Sequence, residues 1–277
     1  MALFPSNIEK VFSFVLMILT TSFLLLEGEQ VNSQKTVSFD FPKFSVGQSD
    51  VTLQGNAAIY ATGTLALTNP TDPNWTAGRV LYSTPVPIWD KTTGNVASFV
   101  TSFSFVLEDY DSFLPADGII FFLAPTNTVI PNNGTGGDLG VVDGNTAFNR
   151  FVGVEFDNYV NEWDPESPHI GIDVNSLISS KTAIWNPVSG SLVKVSIIYD
   201  SLSKTLSVAT TDKDGQITTV SQVVDLKDVL PESVNIGLSA STSLYARQLH
   251  NIHSWSFTSF LNTATISSSS SKTIYIA

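Results

Sequence analysis

The ten residues SFVTSFSFVL (98–107) alternate with a period of two. Phe99, Thr101, Phe103 and Phe105 fall on one face of an extended chain, and Val100, Ser102, Ser104 and Val106 fall on the other. Other short β-rich runs follow the same logic: VSFDF (37–41), IIFFLA (119–124), FVGVEFD (151–157), LVKVSIIYD (192–200), TLSVAT (205–210), ITTVSQVVD (217–225), VNIGLSA (234–240) and SWSFTSF (254–260). Gly, Pro, Asn, Asp and Ser separate them. Helical periodicity is nearly absent, and DLKDVLPE (225–232) is the one candidate helical turn, ended by Pro231. Many short strands joined by turn chemistry predict an all-β antiparallel sandwich or barrel. FVGVEF and IIFFLA are apolar on both faces, which places them in the middle of it. No break in composition marks a second domain.

Apolar burial has to hold such a fold together, because the chain has no cysteine. Disulfides would otherwise be available to it, since its N-terminus reads as a secretory leader. Lys10 is followed by VFSFVLMILTTSFLLL, an uncharged run shorter than the ~20 residues of a membrane span. Val31 and Ser33 suit the −3 and −1 positions of a cleavage site. Cleavage after Ser33 would leave a domain over residues 34–261 and a Ser-rich tail, 262–277, expected to be disordered or processed. No membrane insertion is expected once the leader is gone. Entry to the secretory pathway would make Asn74 (Asn74-Trp75-Thr76) and Asn133 (Asn133-Gly134-Thr135) glycosylation sites. The formal net charge of −12 argues against nucleic acid as a partner and is compatible with bound cations.

The stretch VEFDNYVNEWDPESPHIGID (154–173) poses a charge problem. Between Glu155 and His169 it carries five acids, two asparagines and a histidine, with no Lys or Arg. Strand alternation points Glu155 and Asp157 the same way, opposite Phe156. Pro165 and Pro168 force a loop that returns Asp164 and His169 towards the strand. Two carboxylates about 4 Å apart repel by about 4 kcal/mol at an effective dielectric near 20. A divalent cation is the simplest remedy. Histidine with carboxylates suits manganese or zinc, whereas carboxylates with an amide oxygen and a main-chain carbonyl suit calcium. Two other readings stay open at this point. One is an acidic loop neutralised by solvent. The other is a glycoside hydrolase using Glu155 and Asp157 as paired carboxylates, which leaves the asparagine and histidine unexplained.

Further motifs follow in order: GRVLY (78–82), PVPIWD (85–90), ADGIIFFLAP (116–125), GGDLG (136–140) and VVDLKDVLPE (223–232). With the acidic stretch, they make the chain resemble the legume lectins from residue 36 to residue 260. The resemblance implies a jelly-roll sandwich that binds carbohydrate without catalysis and holds calcium and manganese. It implies Glu155, Asp157, Asp164 and His169 as manganese ligands, with Ser179 reaching that ion through water. It implies Asp157, the Tyr159 carbonyl, Asn161 and Asp164 as calcium ligands.

For the sugar, the resemblance implies that Asp117 accepts hydrogen bonds from two hydroxyls, after a cis Ala116–Asp117 peptide. The Gly137 N–H and the Asn161 amide would donate, and the Tyr159 ring would lie against the apolar face of the sugar. In the segment STSLYARQLHNIHSW (241–255), Ser243 and Leu244 would face the ligand, while Tyr245 would narrow the pocket or add a stacking surface. Within the resemblance, the length of that segment implies galactose or N-acetylgalactosamine. Mannose or glucose is the alternative, as is a defence or storage protein that has lost sugar binding. A weak single site would need several copies for avidity, which implies a homodimer or homotetramer. The expected location is extracellular or vacuolar.

Overall fold

In the computed structural model, which describes residues 33–144, 150–211 and 214–263, the alternating run becomes β7 (Ser98–Asp109) and keeps its two faces. Phe99, Thr101, Phe103 and Phe105 are buried, while Val100, Ser102 and Ser104 are half-buried. The polar member of the core face is satisfied. Thr101 Oγ1 donates to the Ser256 carbonyl at 2.7 Å and accepts from Trp255 Nε1 at 3.1 Å. The expected leader, apart from Ser33, and the part of the tail beyond Thr263 lie outside the described residues. Contacts gather Gln34–Thr263 into one unit.

Two antiparallel sheets form. The first runs β14 (Ile217–Val223), β13 (Thr205–Thr211), β12 (Leu192–Asp200), β7, β16 (Gln248–Thr263), β4 (Leu65–Ala66) and β3 (Ala58–Ile59), and β1 (Ser33–Phe41) also pairs with β16. The second runs β11 (Lys181–Ile184), β10 (His169–Val174), β9 (Val152–Asp157), β8 (Gly118–Pro125), β15 (Ser233–Ser241), β5 (Ala77–Tyr82) and β2 (Val51–Gly55), with β6 (Val86–Pro87) on β15. The sandwich expected from the alternating runs is therefore what the chain forms.

The core lies between the sheets. Phe156 of β9 meets Phe105 at 5.4 Å, Trp185 at 5.6 Å and Phe103 at 5.9 Å between ring centroids, all edge to face. Each such side chain stabilises the fold by about 1.5–3 kcal/mol through burial. A second cluster covers the other face of β8. There Ile120, Phe122 and Ala124 pack with Leu139, Val141 and Val142 from the loop that follows β8. This is why IIFFLA is apolar on both faces, and β8 and β9 do lie side by side in the middle of their sheet. On β9 the same outward face carries Gly153, Glu155 and Asp157. The acids thus stand on a buried strand, beside an apolar cluster.

The one candidate helical turn forms α1 (Leu226–Val229). Asp225 caps it by accepting from the Lys227 N–H at 3.3 Å, and Pro231 lies just beyond its end at Leu230. No helix among the described residues is long and apolar enough to cross a membrane.

Candidate functional site

The register of β9 and β10 builds the acidic cluster. Asp157 pairs with His169 and Glu155 pairs with Gly171, so His169, Gly171 and Asp173 share the face of the two acids. His169 Nε2 lies 3.0 Å from Glu155 Oε1. Gly171 leaves the room for this, because a Cβ there would stand 1.9 Å from Ser179 Oγ and 2.5 Å from Glu155 Oε1. Two local bonds shape the loop between the strands. Asp157 Oδ1 accepts from the Tyr159 N–H at 2.8 Å, and Asp164 Oδ2 accepts from the Asn161 N–H at 2.7 Å. They bring Asp164 back, so that one ligand atom each from Asp157, Asp164 and His169 lies within 4.8 Å of the others.

Burial makes this arrangement expensive without a counter-charge. Glu155, Asp157 and His169 are all buried. Burial, then the Glu155 and Asp164 charges, hold Asp157 well above the usual carboxylate range. Burial lowers the His169 pKa, but the hydrogen bond and charge of Glu155 and the charge of Asp164 outweigh it, so the net direction is up. The donor set fits a divalent cation: two carboxylates and an imidazole converge, and Asn161 Oδ1 is buried with no hydrogen-bond partner.

Asp173 belongs to this network, and sequence reasoning missed it. It is fully buried, and Ser179 Oγ lies 2.7 Å from its Oδ1 and 2.6 Å from Glu155 Oε1. A hydroxyl has one proton and cannot donate to two carboxylates at once. A neutral Asp173 satisfies both contacts, and burial followed by the charge of Glu155 pushes its pKa well up. Its sequence signal was parity, since it shares a strand face with His169.

A pocket opens beside the cluster, with Trp75, Asp117, Gly137, Tyr159, Asn161 and Ser243 among its lining residues. Asp117 is 1% exposed, and its Oδ2 is buried without a partner. Burial raises its pKa to about 8, helped by the charges of Asp138 and Asp164. The Ala116–Asp117 peptide is cis. The Asp117 N–H donates to the Ser241 carbonyl at 3.0 Å, and its own carbonyl accepts from the Asn158 N–H at 3.2 Å.

Gly137 begins its role at a neighbour. A Cβ there would stand 2.8 Å from Asn161 Oδ1 and 3.0 Å from Asn161 Nδ2. Its missing side chain therefore lets the Asn161 amide lie against the loop. Gly137→Ala would overpack this contact and displace the Asn161 amide, at an expected cost of about 1–3 kcal/mol in stability. A thermal melt of the variant checks this, with a fall of about 2–4 °C per kcal/mol expected, and an unchanged melt would show that the amide moves aside freely.

Of the expected specificity residues, Ser243 lines the pocket, while Leu244 and Tyr245 do not. The Ser243 N–H donates to the Ala246 carbonyl at 3.1 Å, which makes Leu244 and Tyr245 the tip of a tight turn. Arg247 Nη2 holds the Leu244 carbonyl at 3.0 Å, and Tyr245 is 80% exposed rather than narrowing the pocket. Trp75, Asn132, Thr135 and Asp138 line the pocket and were not anticipated. Both glycosylation sequons reach its rim, through Trp75 of one and Asn133 and Thr135 of the other. Asn133 is exposed and its Nδ2 donates to Asp143 Oδ1 at 2.9 Å, whereas Asn74 is half-buried.

Residues 36–273 match the legume lectin domain. The chain belongs to the legume lectin family. The sandwich is that family's jelly roll, and the family is one of carbohydrate-binding proteins that generally hold metal ions. A galactose-binding lectin of Arachis hypogaea is 55% identical over 250 residues, covering 88% of this chain and 91% of the relative. A solved structure of peanut lectin with a nine-residue peptide superposes with a TM-score of 0.79 at 56% identity, over 83% of this chain and 100% of that one. The acidic lectin of winged bean, solved with methyl α-D-galactose, gives 0.76 at 44% identity, over 83% of this chain and 100% of that one. The buried Asp157 and His169 and the half-buried Asp164 of this legume lectin form a group able to hold a metal ion.

Proposed function

We propose that this lectin binds galactose or N-acetylgalactosamine reversibly, without chemistry, at the Asp117 pocket, and that calcium and manganese hold the pocket in shape. The observation that carries the reading is Asp117 Oδ2, a buried acceptor without a protein partner in a pocket it shares with Gly137 and Asn161. A carboxylate in that position takes two neighbouring hydroxyls with charge-assisted bonds. The Gly137 N–H and the Asn161 amide donate in return, and Tyr159 covers the apolar face of the sugar. Glu155, Asp157, Asp164 and His169 would hold manganese. Asp157, the Tyr159 carbonyl, Asn161 and Asp164 would hold calcium. Bound ions supply the positive charge that the converging acids require.

Two relatives support the sugar class, since one is named galactose-binding and another was solved with a methyl galactoside. The hydrolase reading is weaker. Glu155 meets His169 and Ser179, and Asp157 accepts from Tyr159, so neither acid stands free to protonate a glycosidic oxygen. The reading further places the chain in the secretory pathway, with cleavage after Ser33, glycans at Asn74 and Asn133, a processed tail over 262–277, and an extracellular or vacuolar destination. It takes a homodimer or homotetramer as the working form, because a millimolar single site contributes only about −4 kcal/mol.

Calorimetric titration with galactose and with mannose, before and after chelation by EDTA, tests the proposal. The expected result is heat with galactose that disappears on chelation. Heat with mannose alone overturns the choice of sugar. No heat with either, metals present, overturns the binding reading in favour of a lectin-like protein without sugar binding.

A further inference from the structure

We infer that Trp75 forms a second subsite on this pocket, a stacking platform for the ring that follows the terminal sugar of a neutral glycan. The inference rests on the reading of the Asp117 pocket as the sugar site. Trp75 lines that pocket and is 53% exposed. The other four tryptophans, Trp89, Trp163, Trp185 and Trp255, are half-buried or buried. An apolar ring of this size left in water beside a polar pocket is a binding surface in waiting, because tryptophan gains most when its face is covered.

The backbone that carries the ring is held in place. The backbone of Trp75 is left-handed, with φ 49°, a conformation that a bulky residue keeps only when its surroundings impose it. Those surroundings are the bonds of Thr242. Its hydroxyl donates to the Pro73 carbonyl and accepts from the Thr76 N–H at 3.2 Å, and its own N–H donates to the Thr76 carbonyl at 2.9 Å. The Thr242 carbonyl in turn accepts from the Gly136 N–H at 3.1 Å, and the carbonyl of neighbouring Ser241 accepts from Asp117. One short segment thus fixes Trp75, the Gly136–Asp138 turn and Asp117 relative to one another. On the loop side Gly136 is its neighbour, where a Cβ would come into ordinary van der Waals contact at 3.8 Å from Trp75 Cζ3. The indole thus lies beside that loop, lines the pocket and remains open to solvent.

A pyranose has one predominantly apolar face, and Tyr159 covers it for the terminal ring. A second aromatic wall on the same pocket belongs to a second ring. Asp117 and Asp138 in the lining disfavour anionic sugars there, so the ligand class is a neutral disaccharide or a longer chain ending in galactose.

Trp75→Ala and Trp75→Phe test this, and both keep the Asn74-X-Thr76 sequon, so glycosylation is unchanged between variants. Each is titrated with methyl β-galactoside, lactose and melibiose, which extend the galactose ring through β and α linkages. In the unsubstituted protein, one of the disaccharides should bind more tightly than the monosaccharide and shift the tryptophan emission. In Trp75→Ala that disaccharide should bind about tenfold more weakly, about 1.4 kcal/mol, with the monosaccharide within about twofold and the emission change lost. Trp75→Phe should recover most of the affinity. The inference is overturned, with the sugar site left standing, if both disaccharides bind no better than the monosaccharide. It is equally overturned if the Ala variant weakens all three alike or none. Absence of binding by the unsubstituted protein overturns the underlying site along with it.

Discussion

Asp117→Asn is expected to weaken galactose binding by at least about a hundredfold while leaving the melting temperature unchanged or higher. Hydrogen bonds to a charged acceptor contribute about 1.5–3 kcal/mol each, and the substitution removes the charge from two of them. At about 1.4 kcal/mol per tenfold, a site that starts near millimolar falls below detection. Stability moves the other way. Asp117 is buried, its Oδ2 has no protein partner, and burial holds its pKa near 8. Above that value, replacing it with a neutral group of similar shape removes an unfavourable buried ionisation. Calorimetry and a thermal melt of the same preparation read both effects. Retained affinity would remove Asp117 from the site, and a collapsed melt would make its role structural.

Stripping the metals should make stability depend on pH in a direction set by the acids. Asp117, Asp157 and Asp173 all have folded pKa values above the ordinary carboxylate value, with burial as the first cause. Groups raised in this way favour the fold below the unfolded pKa, near 4, and that contribution is lost as pH rises through the folded values. His169 is also raised, which gives the same sign. Ionising a carboxyl held one pKa unit high costs about 1.4 kcal/mol, so Asp117 alone, raised to about 8, amounts to several kcal/mol. On the proposed reading, bound cations would offset much of that charge, and their binding to the folded state would add stability by mass action. The gap in melting temperature between loaded and EDTA-treated protein should therefore widen from pH 4 to pH 8, reaching about 10 °C, at about 2–4 °C per kcal/mol for a domain of this size. A gap that stays constant across that range would mean that the ions do not neutralise the buried acids.

Strand periodicity carried most of the fold. The alternation in β7, the doubly apolar run of β8 and the single turn of α1 are local properties, and each forms where its residues indicate. The pairing of Glu155 with Asp157 on one face follows from the same period of two. Asp173 was legible by that rule but hidden in an apolar run, and it takes the Ser179 hydroxyl to show what it does.

The charge problem of residues 154–173 is written in the chain, because a run of acids without Lys or Arg needs a counter-charge once its strand is buried. So is the sandwich, because period-two alternation leaves a strand one apolar face to bury. The wall of the pocket is different. Trp75 lies before β5, Gly137 after β8 and Ser243 after β15, and their meeting depends on long-range bonds from Ser241 and Thr242. The same holds for Leu244 and Tyr245, which a local turn places at a tip. Periodicity tells a residue which face of its own strand it occupies; which loops then converge on one cavity is decided by the packing of strands far apart in sequence.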